Sequence, residues 1–391
     1  MMNTTARSTA ATLQPDTHIS LENDCPSQKS EDVILTHRGG IIENTHRIHA
    51  AITDANGNLL YAIGDANRVV LARSAAKPVQ SLAILETGAA DRFDFSDADI
   101  ALMSASHSSE ARHILRAQSM LQKVDAEEGD LTCGGHPAIS AAVNRAWIKE
   151  DYVPTGICNN CSGKHVGMIA GAIALGAPVY GYQAPGHAMQ QRVKRAVEQM
   201  SGLSEDQVRW AVDGCNLPAP ALPLKNMALM YARLAEAYGG DVKEESGQED
   251  TRKHHLARIH KAMSAHPELV GGEGRFCTAL MEAYGGLLVG KVGADACYGV
   301  AIRARPTSGT DSISEDRAIG IAVKIEDGNL DILYSAVPEI LEKLNIGTKE
   351  MRHQLDSYHH PKILNTAGVV TGGVRHNFKL RRVEEIDARA V

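Results

Sequence analysis

The sequence predicts an α/β protein of the α+β kind: a largely antiparallel sheet flanked by helices, with a helical insertion. Three observations carry that expectation. Strand-type alternation is concentrated near both ends of the chain, over 33–63 and 287–325; the stretch between, about 80–285, is dominated by apolar residues at helical spacing; and a strand-to-helix junction at 72–80 joins the two regimes. One sheet assembled from N- and C-terminal pieces and covered by helices satisfies all three.

Residues 1–32 lack periodicity and are rich in Ser, Thr and Asp, the composition of a disordered tail, with Cys25 inside it. Strand patterns then cover 33–37, 48–53 and 59–63. The Asp54-Ala55-Asn56-Gly57 turn suits a tight hairpin because Asn and Gly tolerate positive φ. An apolar run, Val69-Val70-Leu71, leads into Ala72-Arg73-Ser74-Ala75-Ala76-Lys77-Pro78. Proline is tolerated in a first helical turn, so Ser74 and Lys77 fall in that turn, three apart and on one face. A lysine whose pKa is lowered by desolvation or by a second cation can take the proton of a serine hydroxyl and make it a nucleophile. The plainer alternative is an N-capping Ser74 beside a solvated Lys77.

Helical spacing resumes over 97–103 and 110–124, separated by the hydroxyl-rich cap region Ser104-Ala105-Ser106-His107-Ser108-Ser109. Beyond capping, Ser106 is a candidate second hydroxyl for the site that Ser74 opens. Cys133-Gly134-Gly135-His136-Pro137 reads as a bend. Cys158-Asn159-Asn160-Cys161-Ser162-Gly163-Lys164-His165 leads into a small-residue helix over 166–175, whose N-terminus favours an anionic group. Cys158 and Cys161 have Cys-x-x-Cys spacing without a second half-site. Cys215, in Asp213-Gly214-Cys215, is the partner that would complete an irregular metal site with Cys161; buried structural thiols are the alternative.

Helices over 186–200, 224–238 and 250–265 form a helical layer, with Arg192-Val193-Lys194-Arg195 a solvated face and His254, His255 and His260 at the surface. Gly271-Gly272-Glu273-Gly274-Arg275 opens a further helix to Tyr284. Strands return over 287–291, 298–302 and 318–325, before a helix over 336–344. Lys291 stands at a strand end, where a lysine either flanks a cleft or is simply exposed. The organisation expected is a tail over 1–32, a single catalytic domain over 33–345 and a C-terminal extension over 346–391.

A formal charge of −7 with scattered basic residues argues against a nucleic-acid partner. The longest weakly polar run, 166–181, is broken by glycines and a proline and is too short to span a bilayer. Without a secretory apolar core at the N-terminus, the expectation is a cytoplasmic protein with no membrane association. Seven cysteines, an odd number in a chain of 391 residues, favour thiols or metal ligands over a disulfide framework. A homodimer is the default for an enzyme of this size.

Taken together, Arg73-Ser74-Ala75-Ala76-Lys77-Pro78, Ser104-Ala105-Ser106-His107, Cys133-Gly134-Gly135-His136, Asn159-Asn160-Cys161-Ser162-Gly163-Lys164-His165, Asp213-Gly214-Cys215 and Lys291-Val292-Gly293-Ala294-Asp295 resemble the rhizobial-type, class 3 L-asparaginases. The resemblance implies a serine β-lactamase/glutaminase-like fold and hydrolysis of L-asparagine to L-aspartate and ammonia. It also implies two Ser-Lys tandems, Ser74 with Lys77 and Ser106 with Lys291; a zinc site of Cys161, Lys164 and Cys215, accessory to the chemistry; and substrate contacts from Arg73, His165 and Asp213. Ala296 and Cys297, where small residues including glycine are expected, depart from the pattern.

The chemistry is consistent with these residue types. Hydrolysis of an unactivated amide needs a nucleophile, a proton shuttle for the leaving ammonia and donors for the oxyanion. Arg73 suits an α-carboxylate and Asp213 an α-ammonium. Two rivals stand beside this reading. One is another Ser-Lys acyl hydrolase, a glutaminase or a β-lactamase-like enzyme, the latter disfavoured by the lack of Ser-Asp-Asn and Lys-Thr-Gly triplets. The other is a non-catalytic zinc or thiol protein built on Cys158, Cys161 and Cys215.

Overall fold

The computed structural model describes residues 32–239, 248–304 and 317–383. The expected tail, apart from Asp32, and Cys25 within it lie outside the described residues. The strands are β1 (Val33–Arg38), β2 (Ile41–Asp54), β3 (Leu59–Ile63), β4 (Val69–Leu71), β5 (Arg209–Val212), β6 (Pro218–Pro223), β7 (Leu288–Gly293), β8 (Cys297–Ile302), β9 (Ile319–Ile325), β10 (Lys362–Leu364), β11 (Val370–Asn377) and β12 (Arg381–Arg382). The main sheet runs β10-β11-β1-β2-β9-β8-β7, with β3 on β2 and β12 on β3. Its pairings are antiparallel.

β2 is the pivot of this sheet. Its first half pairs with β1, while Ile48 to Asp54 pair with β9 on one side and, over Ala50 to Thr53, with β3 on the other. The two ends of the chain therefore interleave, as strand patterns at both termini require. The hairpin after β2 closes through Asp54, whose Oδ1 accepts the N–H groups of Asn56 (3.0 Å) and Asn58 (2.9 Å), while Gly57 takes φ +93°.

Several elements differ from expectation. The small-residue helix spans Ser162–Ala174, one turn earlier than its apolar pattern suggests, so Lys164 and His165 lie inside its first turn. The last long helix, Leu330–Lys343, starts at an Asn329 cap whose Oδ1 accepts the Ile332 N–H at 3.1 Å. A small sheet, β4-β6-β5, was hidden by Pro218, Pro220 and Pro223, which mask a strand pattern. The segment set apart as a C-terminal extension places β10 and β11 beside β1 at the sheet's outer edge. His260, expected at the surface, is fully buried against the Tyr238 ring, centroids 4.9 Å apart; His255 is half-buried and only His254 is exposed. Among the described residues no helix is long and apolar enough to cross a membrane.

Small residues bring the layers into contact. The Ser162–Ala174 helix carries Gly163, Gly167 and Gly171 on one face, where a Cβ would meet Leu102, Ile84 and Met189 respectively at 2.4–2.7 Å. Helix Leu224–Glu236 lies on the sheet over Gly299 and Gly320. A Cβ on Gly320 would stand 1.9 Å from the Ala228 carbonyl oxygen, and one on Gly299 2.0 Å from the Tyr231 ring. Because the obstacle at Gly320 is helix backbone, Gly320→Ala should destabilise the protein by about 3 kcal/mol, read as a fall in denaturant midpoint.

Candidate active site

Ser74 sits in a single 3₁₀ turn, Arg73–Ala76, between β4 and helix Lys77–Leu85. Arg73 enters it at φ +50°, a conformation sparsely populated by non-glycine residues and held here by its surroundings. The Ala72 N–H donates to the Pro220 carbonyl (2.9 Å), fixing the turn to β6. The Tyr231 hydroxyl, carried through the groove over Gly299, donates to the Ala75 carbonyl at 2.7 Å. On the far side β7 presses in so closely that a Cβ on Gly293 would lie 2.4 Å from the Ala72 oxygen.

Lys77 does not pair with Ser74. Its side chain is fully buried, and its length carries Nζ past Ser74 into the interior, where it donates to the Ala105 carbonyl and to Ser106 Oγ (3.0 Å). Half-buried Ser74 leaves its hydroxyl without a hydrogen-bond partner among the described residues. Lys291, expected near a strand end, lies within β7 and is also fully buried; its Nζ reaches Ser106 Oγ at 2.8 Å and the Val292 carbonyl at 2.7 Å. One hydroxyl, Ser106 Oγ, thus bridges two buried amines. The Ser106 segment is strapped from both sides: Ser106 N–H to Val270 O (3.0 Å), His107 N–H to Asn160 O (3.2 Å) and Ser109 Oγ to Cys158 O (2.7 Å).

Burial pushes Lys77 below the ordinary lysine range, and Lys164 nearby pushes the same way. Burial, followed by the proximity of Lys77, pushes Lys291 down to about 7. An amine so placed titrates close to neutral pH. That is the condition for proton transfer in either direction.

Cys161, Lys164 and Cys215 form a second cluster against the first, since Lys77 also faces the Cys161 sulfur. Lys164 Nζ donates to Cys215 Sγ at 3.1 Å. A hydrogen bond shared with Cys161 draws Cys215 down to about 4, while the same bond and burial push Cys161 up to about 12. Of the two sulfurs Cys215 is the more acidic. Burial opposes the charge on Lys164, but Cys161 and Cys215 outweigh it and keep the ammonium protonated. As metal donors, two sulfurs and an amine nitrogen fit a thiophilic divalent cation in kind, provided Lys164 and Cys161 give up their protons. Cys158 lies apart from this cluster, with its sulfur 3.1 Å from the Tyr152 hydroxyl.

Arg73 is already engaged: Nε donates to Asp213 Oδ1 and Nη1 to Asp295 Oδ2, both at 2.6 Å. Burial raises the Asp213 carboxyl, but Lys164 and the Arg73 hydrogen bond outweigh it and hold it below the ordinary range. His165 is fully buried and pushed down to about 3 by burial and by Lys164. Its Nδ1 is 2.5 Å from the Tyr182 hydroxyl, which accepts from the Thr132 N–H (3.0 Å), so the tyrosine proton points to the histidine. Among the described residues His165 Nε2 has no hydrogen-bond partner.

The structure thus brings Ser74, Lys77, Ser106, Lys291, Arg73, Asp213, Cys161, Lys164, Cys215 and His165 into one region from five separated stretches. Sequence reasoning missed Tyr182, Tyr231, Arg275 and His107. Arg275 Nη1 lies 3.3 Å from Ser108 Oγ, in a glycine-rich context whose sequence signals only a turn. His107, stacked on His113 (centroids 5.0 Å, planes 11° apart), takes its Nδ1 hydrogen bond from Ser109 N–H (3.2 Å) and so points its Nε2–H at Ser162 Oγ, 2.9 Å away. Nothing in the spacing of the two tyrosines pointed to their role.

The family model described as L-asparaginase II matches residues 34–376. No curated protein matches the sequence. Among solved structures, the chain is similar to Mglu in its native form in 4.3 M NaCl at 14% identity and a TM-score of 0.41, over 78% of this chain and 63% of that one. It is also similar to a probable glutaminase from Bacillus subtilis complexed with 6-diazo-5-oxo-L-norleucine, at 12% identity and a TM-score of 0.36, over 77% and 84%. The chain spans less than two thirds of the Mglu chain's length.

Proposed function

The chain belongs to the L-asparaginase II family, and from that premise we propose that it is an amidohydrolase converting L-asparagine to L-aspartate and ammonia through a serine acyl-enzyme. The observation that carries the reading is Ser106 Oγ held 3.0 Å from Lys77 Nζ and 2.8 Å from Lys291 Nζ, deep in the protein, with Ser74 in the turn that leads directly into Lys77.

In this proposal neutral Lys77 takes the proton of Ser74 as Oγ adds to the side-chain amide carbon. The distance between them closes when substrate fills the site, as catalytic hydrogen bonds commonly do. The proton moves from Lys77 through Ser106 to Lys291 and returns to the departing ammonia; water then resolves the ester by the reverse route. Lys291 serves as reservoir because its affinity for the proton is close to neutral pH. The backbone N–H of Ser74 is one donor to the oxyanion.

Arg73 receives the α-carboxylate, while Asp213, with Asp295 beside it, receives the α-ammonium. Asp213→Asn should therefore raise KM for L-asparagine by about 10–100-fold with a smaller effect on kcat, measured by steady-state ammonia release. Cys161, Lys164 and Cys215 would hold zinc; bound there, it supplies fixed positive charge beside Asp213 and His165 and is accessory to the chemistry.

The reading is tested by ammonia release from L-asparagine and L-glutamine, with acid-quenched mass spectrometry of the enzyme. The expected result is preference for asparagine and an acyl mass increment on the Ser74 peptide. Preference for glutamine would reassign the substrate, since a single methylene is discriminated only modestly. Absence of turnover on both amides would leave the thiol-binding alternative.

A further inference from the structure

A second constellation lies far along the chain from the amidase residues, where helix Leu330–Lys343, the short turn Asp356–His359 and strand β11 meet. Glu339, His359 and His376 present one carboxylate oxygen and two imidazole nitrogens, all within 4.8 Å of one another. Among the described residues no other group of three or more His, Cys, Asp or Glu ligand atoms is so assembled. The side chains are 17%, 4% and 6% exposed.

The hydrogen bonds around the cluster fix how His376 is presented to Glu339. Ser335 Oγ gives its proton to the Ile332 carbonyl at 2.9 Å, so His376 Nε2, 3.1 Å from Ser335 Oγ, must be the donor to it. A neutral His376 then turns a bare Nδ1 lone pair toward Glu339 Oε2, 3.5 Å away, which is also an acceptor. In that form two lone pairs face each other across 3.5 Å, the arrangement a cation would bridge. The same oxygen lies 2.7 Å from His359 Nε2, and the other face of that ring, Nδ1, lies 3.7 Å from Glu342 Oε2. A carboxylate behind a ligating imidazole is the usual device that fixes its tautomer and orientation.

We propose that Glu339, His359 and His376 bind a borderline divalent transition cation, zinc first, as a clip between the last long helix and the C-terminal strand. Two imidazoles and one carboxylate are a donor set suited to such ions, which leave a fourth position to water. Binding places the cation between the opposed lone pairs of His376 and Glu339 and takes His359 as the tautomer with its proton on Nδ1, so that the Nε2 lone pair faces the cation and the Nδ1–H faces Glu342, with no net change in the protons on the ring. Lys343, 3.0 Å from Glu339 Oε1, stays paired to the oxygen the cation does not use. The site is separate from the cysteine cluster and stands whether or not the amidase reading holds.

The test uses the full chain carrying Cys161→Ala and Cys215→Ala, stripped of metal and titrated with zinc and with cobalt(II). The expected result is one equivalent bound per chain and a Tm rise of about 3–5 °C at a hundredfold excess over the dissociation constant. Cobalt should give ligand-field bands without thiolate charge-transfer absorption. His376→Gln and, separately, Glu339→Gln in the same background should each abolish the binding while the far-ultraviolet circular dichroism is retained. Failure of the stripped cysteine variant to bind either metal overturns the proposal, as does unchanged binding in both substitution variants.

Discussion

Ser74→Ala should abolish ammonia release, by about 10⁴-fold or more, without weakening the fold. The Ser74 hydroxyl makes no hydrogen bond among the described residues, so its removal should change stability by no more than about 0.5 kcal/mol. No acyl increment should accumulate on the variant. Ser106→Ala gives the contrasting result: it breaks the bridge between Lys77 and Lys291, slows turnover and leaves the increment on Ser74. If Ser74→Ala keeps its activity and the label appears on Ser106, the attacking hydroxyl is the bridging one and the assigned roles exchange.

Lys291→Met should lower kcat/KM by about 10³-fold and at the same time stabilise the protein. Burial, with Lys77 adding to it, holds Lys291 down to about 7 against an ordinary 10.5. In the unfolded chain the lysine stays charged up to the higher value, so between pH 7 and 10.5 the unfolded state binds more protons and stability rises with pH. The cost of burying this group is fully present below pH 7 and disappears toward 10.5; its upper bound is roughly 5 kcal/mol. Methionine removes both that cost and the rise, so the variant's denaturant midpoint at neutral pH should increase and lose its alkaline slope. In the wild type, kcat/KM should increase with pH through an inflection near 7, where Lys291 becomes neutral. Lys291→Arg, permanently charged, should be as inactive as Lys291→Met. An unshifted pH profile in either variant would remove Lys291 from the proton path.

The parts of the fold legible in the sequence were those with a strong local period. β3 and helix Asp97–Met103 fall on the residues expected, because a short apolar run bounded by turn residues in the first, and helical spacing in the second, are unbroken there. The β4-β6-β5 sheet was not legible, since alternate prolines look like loop until a partner strand is found for them. His260 was misplaced at the surface because a polar side chain in a charged helix gives no sign that a tyrosine ring will cover it. Within the site, the residue types were visible but their partners were not. Ser-x-x-Lys spacing puts Ser74 and Lys77 on one face, yet the length of the lysine side chain carries its amine to Ser106 instead. Taken singly, Arg73 and Asp213 suggest separate substrate contacts, and they are also each other's ion pair.

The place of β2 between β1 and β9 has a consequence for synthesis. A ribosome delivers residues 41–54 long before 319–325, so the middle strand must wait, with one hydrogen-bonding edge bare, until most of the polypeptide has emerged. Prematurely terminated products would carry that sticky edge permanently, which makes them candidates for aggregation or chaperone capture rather than for partial activity.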